Sequence, residues 1–213
     1  KLEAGSAPNA HHHHHHLTRN LRFVSNSSGH NAALEIVDGC RQGGGLHVGA
    51  QNLSEYSAEL WKSVDGGTTW TNLMYVQHQF YFNDIDCANE THCVAIGEGF
   101  APDGSTSPGA RIYVTTDGEH FEEVHRESAK GTESFMTLQA LSASEYWIGG
   151  SQYMGSADAP AFLFHTTDGG KTWVNENNGI VGQAITDVDF LSPAHGYATA
   201  VNAHHASTVF EFA

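Results

Sequence analysis

Short runs in which apolar and β-branched residues alternate with polar ones, broken by Gly-, Ser- and Asn-rich turns, fall along the chain in groups of four. The clearest group predicts strands over Phe80–Asp86, His92–Gly97, Arg111–Thr116 and Phe121–His125. The next repeats it at Ser134–Leu141, Glu145–Gly149, Ala161–Thr167 and Thr172–Glu176. An earlier group is placed at Ala33–Asp38, Leu46–Ala50, Glu59–Val64 and Trp70–Tyr75. A last one opens with Ile185-Thr-Asp-Val-Asp-Phe190, echoing Phe82-Asn-Asp-Ile-Asp-Cys87, and continues with Tyr197–Val201 and Thr208–Phe212.

The third and fourth strands of the first three groups are joined by one recurring motif. Ser63-Val-Asp65-Gly-Gly67-Thr-Thr69-Trp70 returns as Thr115-Thr-Asp117-Gly-Glu119-His-Phe121 and as Thr166-Thr-Asp168-Gly-Gly170-Lys-Thr172-Trp173. The aspartates lie 52 and 51 residues apart, the length of a four-stranded propeller blade. Chemically the motif is a tight turn. The Asp carboxylate accepts backbone N–H bonds from the residues that follow, Gly supplies positive φ, and Trp70, Phe121 or Trp173 packs back into the core. Asp65, Asp117 and Asp168 are therefore read as folding devices rather than catalytic or metal-binding groups.

These residues resemble the Asp-box, or BNR, repeat S/T-x-D-x-G-x-T-W of sialidases, sortilin-type receptors, some glucan hydrolases and the photosystem II assembly factors of chloroplasts. The resemblance runs from about Leu21 to Ala213, with the middle motif degenerate at Glu119 and His120. It implies an all-β fold, a β-propeller of four-stranded antiparallel blades with about four blades in this chain. It specifies fold far better than function, since hydrolases, receptors and assembly factors share it.

Residues 1–16 stand outside that expectation. Lys1–Ala10 reads as a vector or processing remnant and His11–His16 as an affinity tag, leaving 17–213 as one propeller domain. The fourth group ends at Ala213, where its Asp-box aspartate is due. Either Leu21–Ser25 supplies the outer strand of the fourth blade and closes the ring, or a second polypeptide carries further blades, with Cys40 as half of an inter-chain bridge. The second reading is preferred, because an open ring exposes an unpaired edge and a bare core face.

Charge narrows the partners. Lys and Arg number 9 against 24 Asp and Glu, for a net charge of −15. Such a surface repels phosphate-rich partners, which argues against nucleic acid and anionic membrane, and no stretch is long and apolar enough to span a bilayer. A secreted or secretory-lumen setting is expected from two features together. Asn26, Asn52 and Asn89 each begin an N-glycosylation sequon, and Cys87 and Cys93 are spaced to bridge across a hairpin turn.

The connections between second and third strands are the elaborated ones: Gln51–Ser57, Glu98–Ala110 and Gly150–Pro160. They offer Tyr56, Glu98, Phe100, Gln152, Tyr153 and Asp158 as ligand-binding candidates, a mixture of polar tips and aromatic platforms. A sialidase needs three convergent arginines, and only Arg19, Arg22, Arg41, Arg111 and Arg126 are present. A general glycosidase needs two carboxylates astride the bond, for which Glu98 with Asp158 or Glu55 is conceivable but not selected by spacing. The histidines outside the tag show no metal-ligand spacing, and the Gly-rich runs lack a phosphate-cradle context, so no metal or cofactor is implied. The reading that results is a secreted scaffold presenting one loop face to a glycan, peptide or protein. Its alternative is a glycoside hydrolase or other propeller enzyme whose site is shared with a second chain.

Overall fold

A computed structural model of the chain describes residues 19–25, 31–38, 57–65, 68–77, 79–99, 109–127, 133–152, 158–204 and 206–213. All regular structure among them is strand, arranged as four antiparallel sheets in chain order. The first holds β1 (Arg19–Ser25), β2 (Asn31–Asp38), β3 (Ser57–Ser63) and β4 (Thr71–Gln77). The second holds β5 (Tyr81–Cys87), β6 (Cys93–Gly99), β7 (Gly109–Thr115) and β8 (Glu122–Arg126). The third holds β9 (Ser134–Ala140), β10 (Tyr146–Ser151), β11 (Ala161–Thr166) and β12 (Val174–Asn175). The fourth has three strands, β13 (Gln183–Ser192), β14 (His195–Asn202) and β15 (Ser207–Phe212). Each sheet is a simple meander, so every strand pairs with its chain neighbour.

Two expectations about the first sheet are corrected. Leu21–Ser25 does not complete the fourth blade: it lies within β1, paired with β2 from Arg19↔Val37 to Ser25↔Asn31. Asn31–Asp38 is consequently the second strand rather than the first, and Leu46–Ala50, expected to be the second, lies outside the described residues. The reason is local. Leu21 and Phe23 continue the alternation, and the five-residue connection 26–30 is a hairpin length, which makes the adjacent strand the nearest partner. In the other sheets the strands fall within a few residues of expectation.

Apolar side chains of successive sheets meet in three clusters. Ala58 and Leu60 of the first sheet pack on Phe80, Phe82, Ile85 and Tyr113 at the second. Val94, Ile96, Ile112 and Val114 of the second pack on Phe135, Leu138, Tyr146 and Ile148 of the third. Trp147, Ala161 and Leu163 of the third pack on Ile185, Val188, Phe190 and Ala198 of the fourth. Each large side chain so enclosed contributes about 1.5–3 kcal/mol relative to exposure. At the last junction the Trp147 ring lies between two others, 3.7 Å from His165 and 3.7 Å from Phe190, nearly parallel to both.

The innermost strands are also tied by hydrogen bonds that substitute for strand pairing. Asn83 Nδ2 donates to the Phe135 carbonyl at 2.8 Å, and the Ala140 N–H donates to Asp86 Oδ2 at 2.9 Å. Between the third and fourth sheets, the Phe190 N–H donates to Gln139 Oε1 at 2.6 Å and Gln139 Nε2 returns a bond to the Phe190 carbonyl at 3.0 Å. Buried backbone groups left over at a sheet edge must find partners, and these side chains supply them. Contacts run from each sheet to the next in chain order, and among the described strands the first does not pack on the fourth, so the array is open.

Candidate functional site

The two ends of the strands differ in chemistry. At one end lie the Asp-box turns. Asp65 Oδ1 accepts the Thr69 N–H at 2.8 Å and the Ser63 hydroxyl at 2.8 Å. Asp168 Oδ1 accepts the Thr172 N–H at 2.9 Å and the Thr166 hydroxyl at 2.8 Å, while its Oδ2 takes the Thr172 hydroxyl. The Thr69 hydroxyl, aided by that residue's N–H, pulls the Asp65 carboxyl down to about 2. The Thr172 hydroxyl, with that residue's N–H, likewise lowers the Asp168 carboxyl.

The middle box is one residue shorter between Asp and aromatic, and His120 takes over what Thr does elsewhere. Its N–H donates to Asp117 Oδ1 at 2.8 Å and its Nδ1 lies 2.7 Å from Oδ2. The His120 N–H is the main cause of the lowered Asp117 carboxyl, and the pairing in turn raises His120. Gly118 and Gly169 both sit at positive φ. Phe121 packs on the cluster between the first two sheets and Trp173 on the next, whereas Trp70 is half-buried. All three carboxylates are thus occupied in closing turns. Among the described residues no group of three or more His, Cys, Asp or Glu is placed to hold a metal ion.

The opposite end is where second strands run into third strands, and buried polar groups collect there: Glu59, Glu98, Arg111, Glu133 and Ser151. Glu98 belongs to β6 rather than to the following loop, and only 6% of it is exposed. Its Oε1 accepts the Tyr81 hydroxyl at 2.8 Å, while Oε2 is enclosed with no donor in bonding geometry. Burial pushes this carboxyl up, and the Ser134, Tyr81 and Asn83 groups around it pull less strongly the other way. Arg111 is fully buried with its guanidinium 4.3 Å from the centre of the Phe80 ring, and that burial lowers its affinity for a proton.

Cross-strand register extends the Glu98 position along the array. Glu98 stands opposite Tyr81, and Ser151 stands opposite Ser134 at the same place in the third sheet. Ser151 Oγ is enclosed without a partner, as is Oε1 of Gln183 at the start of β13. Glu98 and Ser151 therefore hold one register position in consecutive sheets, each with an unsatisfied oxygen, and Gln183 carries a third at the same end of the next sheet. Such groups cost free energy unless something pairs with them.

Of the other residues singled out in the sequence, Gln152 is exposed beside the end of β10, its N–H reaching the Pro160 carbonyl at 3.3 Å, and Asp158 is exposed in the turn before Pro160. Tyr56, Phe100, Tyr153, Cys40, Asn26 and Asn52 lie outside the described residues. Cys87 and Cys93 form a disulfide. Inside that hairpin Asn89 Oδ1 accepts the N–H groups of Thr91 and His92, each at 2.9 Å. Tyr81, Ser151 and Gln183 were not foreseen as site residues. The one sequence signal near them is a charged Glu closing the otherwise apolar run Cys93–Gly99.

No protein-family model matches the chain. No curated protein matches it in sequence. Among solved structures it is similar to YCF48 from Cyanidioschyzon merolae, with TM-score 0.52 and 13% identity over 95% of this chain and 52% of that one. It is also similar to a protein of unknown function from Dyadobacter fermentans, with TM-score 0.51 and 14% identity over 89% of this chain and 51% of that one. A third neighbour is the Hadza microbial sialidase Hz136, at TM-score 0.50 and 13% identity over 84% and 39%. The chain spans about half the length of the first two and two fifths of the third. At these identities the likeness is one of fold, that of the BNR-like β-propellers.

Proposed function

We propose that the chain is a binding scaffold of the secretory pathway that takes an uncharged, hydroxyl- or amide-rich ligand, a glycan or an extended peptide, at the mouth marked by Glu98. The observation that carries this reading is the set of enclosed, unpaired oxygens on Glu98, Ser151 and Gln183 at one end of three consecutive sheets. A ligand with several donors satisfies them, and Glu98 in its neutral form also has a proton to give. Net charge of −15 disfavours an anionic ligand at the same place. The Cys87–Cys93 disulfide and the sequon at Asn89 support an oxidising compartment. Among the described residues the Asp-box end, whose carboxylates are already engaged, offers no comparable set of free groups.

The test is calorimetric titration of the intact chain with neutral oligosaccharides and with uncharged peptides, with chromatography of the mixture afterwards. Saturable binding that Ser151→Ala weakens, with no new products, is the expected result. Release of shortened sugars means a hydrolase and overturns the scaffold reading. Absence of binding to both ligand classes, or binding that ignores Ser151→Ala, removes the mouth as the site.

A further inference from the structure

Hairpins of equal length join the first two strands of the second and third sheets. Cys87 stands opposite Cys93 as Ala140 stands opposite Tyr146, so residues 88–92 and 141–145 correspond one to one. The Ala88 N–H reaches the His92 carbonyl as the Leu141 N–H reaches that of Glu145, each at 2.9 Å. Both turns need an acceptor at their second residue. Ser142 Oγ accepts the Ser144 and Glu145 N–H groups at 3.3 and 3.1 Å, and Asn89 Oδ1 accepts those of Thr91 and His92, each at 2.9 Å. A hydroxyl oxygen is therefore enough to close this turn, and the amide nitrogen of Asn89 is surplus to it. Two backbone donors fix which way that amide faces. Among the described residues Nδ2 has no hydrogen-bond partner, and it is not enclosed; Asn89 is partly exposed. The hydroxyl of Thr91, the third residue of the pattern Asn89-Glu90-Thr91, donates to the same Asn89 Oδ1 at 2.9 Å. The matching stretch Ser142-Ala143-Ser144 has the oxygens and no amide.

We propose that Asn89 Nδ2 carries an N-linked oligosaccharide, held at the end of the array opposite the ligand mouth. This rests on the secretory-pathway setting proposed above and is independent of the ligand. The step joins Nδ2 to the anomeric carbon of an oligosaccharide supplied on a polyprenyl pyrophosphate. The bond from that carbon to the phosphate oxygen breaks, the lipid pyrophosphate leaves with its electron pair, and one Nδ2 proton is lost. Strand direction fixes where the sugar sits. The seven residues of β5 run from Tyr81, opposite Glu98 at the mouth, to Cys87 at the hairpin, a length of about 20 Å. The hairpin backs on the second Asp box, where a Cβ on Gly118 would collide with the Glu90 carbonyl oxygen. A glycan there covers the rim whose carboxylates are already engaged in turns, and leaves the end that holds Glu98 and Ser151 open.

The experiment is expression of the full chain behind a secretion signal in cultured animal cells, with peptide mapping of the product. Glycans are released enzymatically in heavy-oxygen water, which converts each glycosylated Asn to labelled Asp. Label at position 89 is the expected result, read at peptide level so that it is separate from the sequons at Asn26 and Asn52. Thr91→Ala is expected to lose this label and Thr91→Ser to keep it. Asn89→Ser, which copies Ser142, is expected to lose the glycan and still be secreted with the Cys87–Cys93 disulfide closed. Unmodified Asn89 in secreted protein that holds this disulfide overturns the proposal and leaves the secretory setting standing. Label that persists in Thr91→Ala overturns it too, since spontaneous deamidation is then the source. Retention inside the cell with both cysteines reduced overturns the secretory setting as well.

Discussion

Removing the Cys87–Cys93 bridge gives the most quantitative check on the hairpin that opens the second blade. The cysteines are six apart in sequence, and closing a loop that short restricts the unfolded chain by about 2.3 kcal/mol at room temperature. Alanine at both positions is the right perturbation, since Cys93 is fully buried and serine there would add an unpaired hydroxyl. The hairpin itself is expected to persist in the variant. Its bonds do not involve the sulfurs: the Ala88 N–H reaches the His92 carbonyl at 2.9 Å, and Asn89 caps Thr91 and His92. The loss is expected as a fall in melting temperature of about 5–9 °C for a chain of this size. Wild-type protein melted with a strong reductant should shift by the same amount, while the double-alanine variant should ignore the reductant. A variant that melts within about 1 °C of wild type would refute the reasoning, because the cross-link would then be absent or the unfolded hairpin already closed.

Three further outcomes follow from the packing and the titrating groups. Phe190→Ala removes a ring 3% exposed that stacks on Trp147, and should cost about 3–5 kcal/mol by urea unfolding, with Trp fluorescence reporting the opened sandwich. Asp65, Asp117 and Asp168 have folded values depressed below the unfolded Asp value of about 3.9, so their contribution is present above that pH and lost as pH falls through about 2 for Asp65; Thr69→Val with Thr172→Val should flatten this acid limb in melts between about pH 5 and 2. Glu98 has the opposite sign: its raised folded value contributes stability fully below the unfolded Glu value of about 4.3 and loses it as pH rises through the folded value. Glu98→Gln, still able to accept from Tyr81, should therefore match wild type near pH 4 and exceed it near pH 8, and a variant less stable at pH 8 would sink the assignment.

What the sequence made legible was whatever depends on a few neighbouring residues. The Asp-box turns are of this kind, because Asp65 and Asp168 close them with groups no more than four residues away. Even there, His120 in the place of Thr was readable only as a departure from the motif; that its N–H and ring do the work of Thr depends on a turn one residue shorter. The first blade departs from the expectation because Arg19–Ser25 takes the first place in its sheet and Asn31–Asp38 the second, the place expected for Leu46–Ala50.

Glu98 shows why the site was harder to see than the fold. Gly97-Glu-Gly99 has the composition of a turn, yet β6 runs through it as strand. The two glycines are there for closeness: a Cβ on Gly97 would lie 2.4 Å from the Tyr81 carbonyl oxygen, and one on Gly99 equally near that of Gln79. That approach sets the Glu98 carboxyl against the Tyr81 hydroxyl and encloses its second oxygen. The surrounding groups Tyr81, Ser134 and Asn83 are 17, 36 and 15 residues away and belong to two blades, so no local pattern announces them. The repeat itself is the signal that reaches so far. Once strand register is known, Glu98 predicts Ser151, and Asp86 predicts the same capping role for Gln139 in the next sheet.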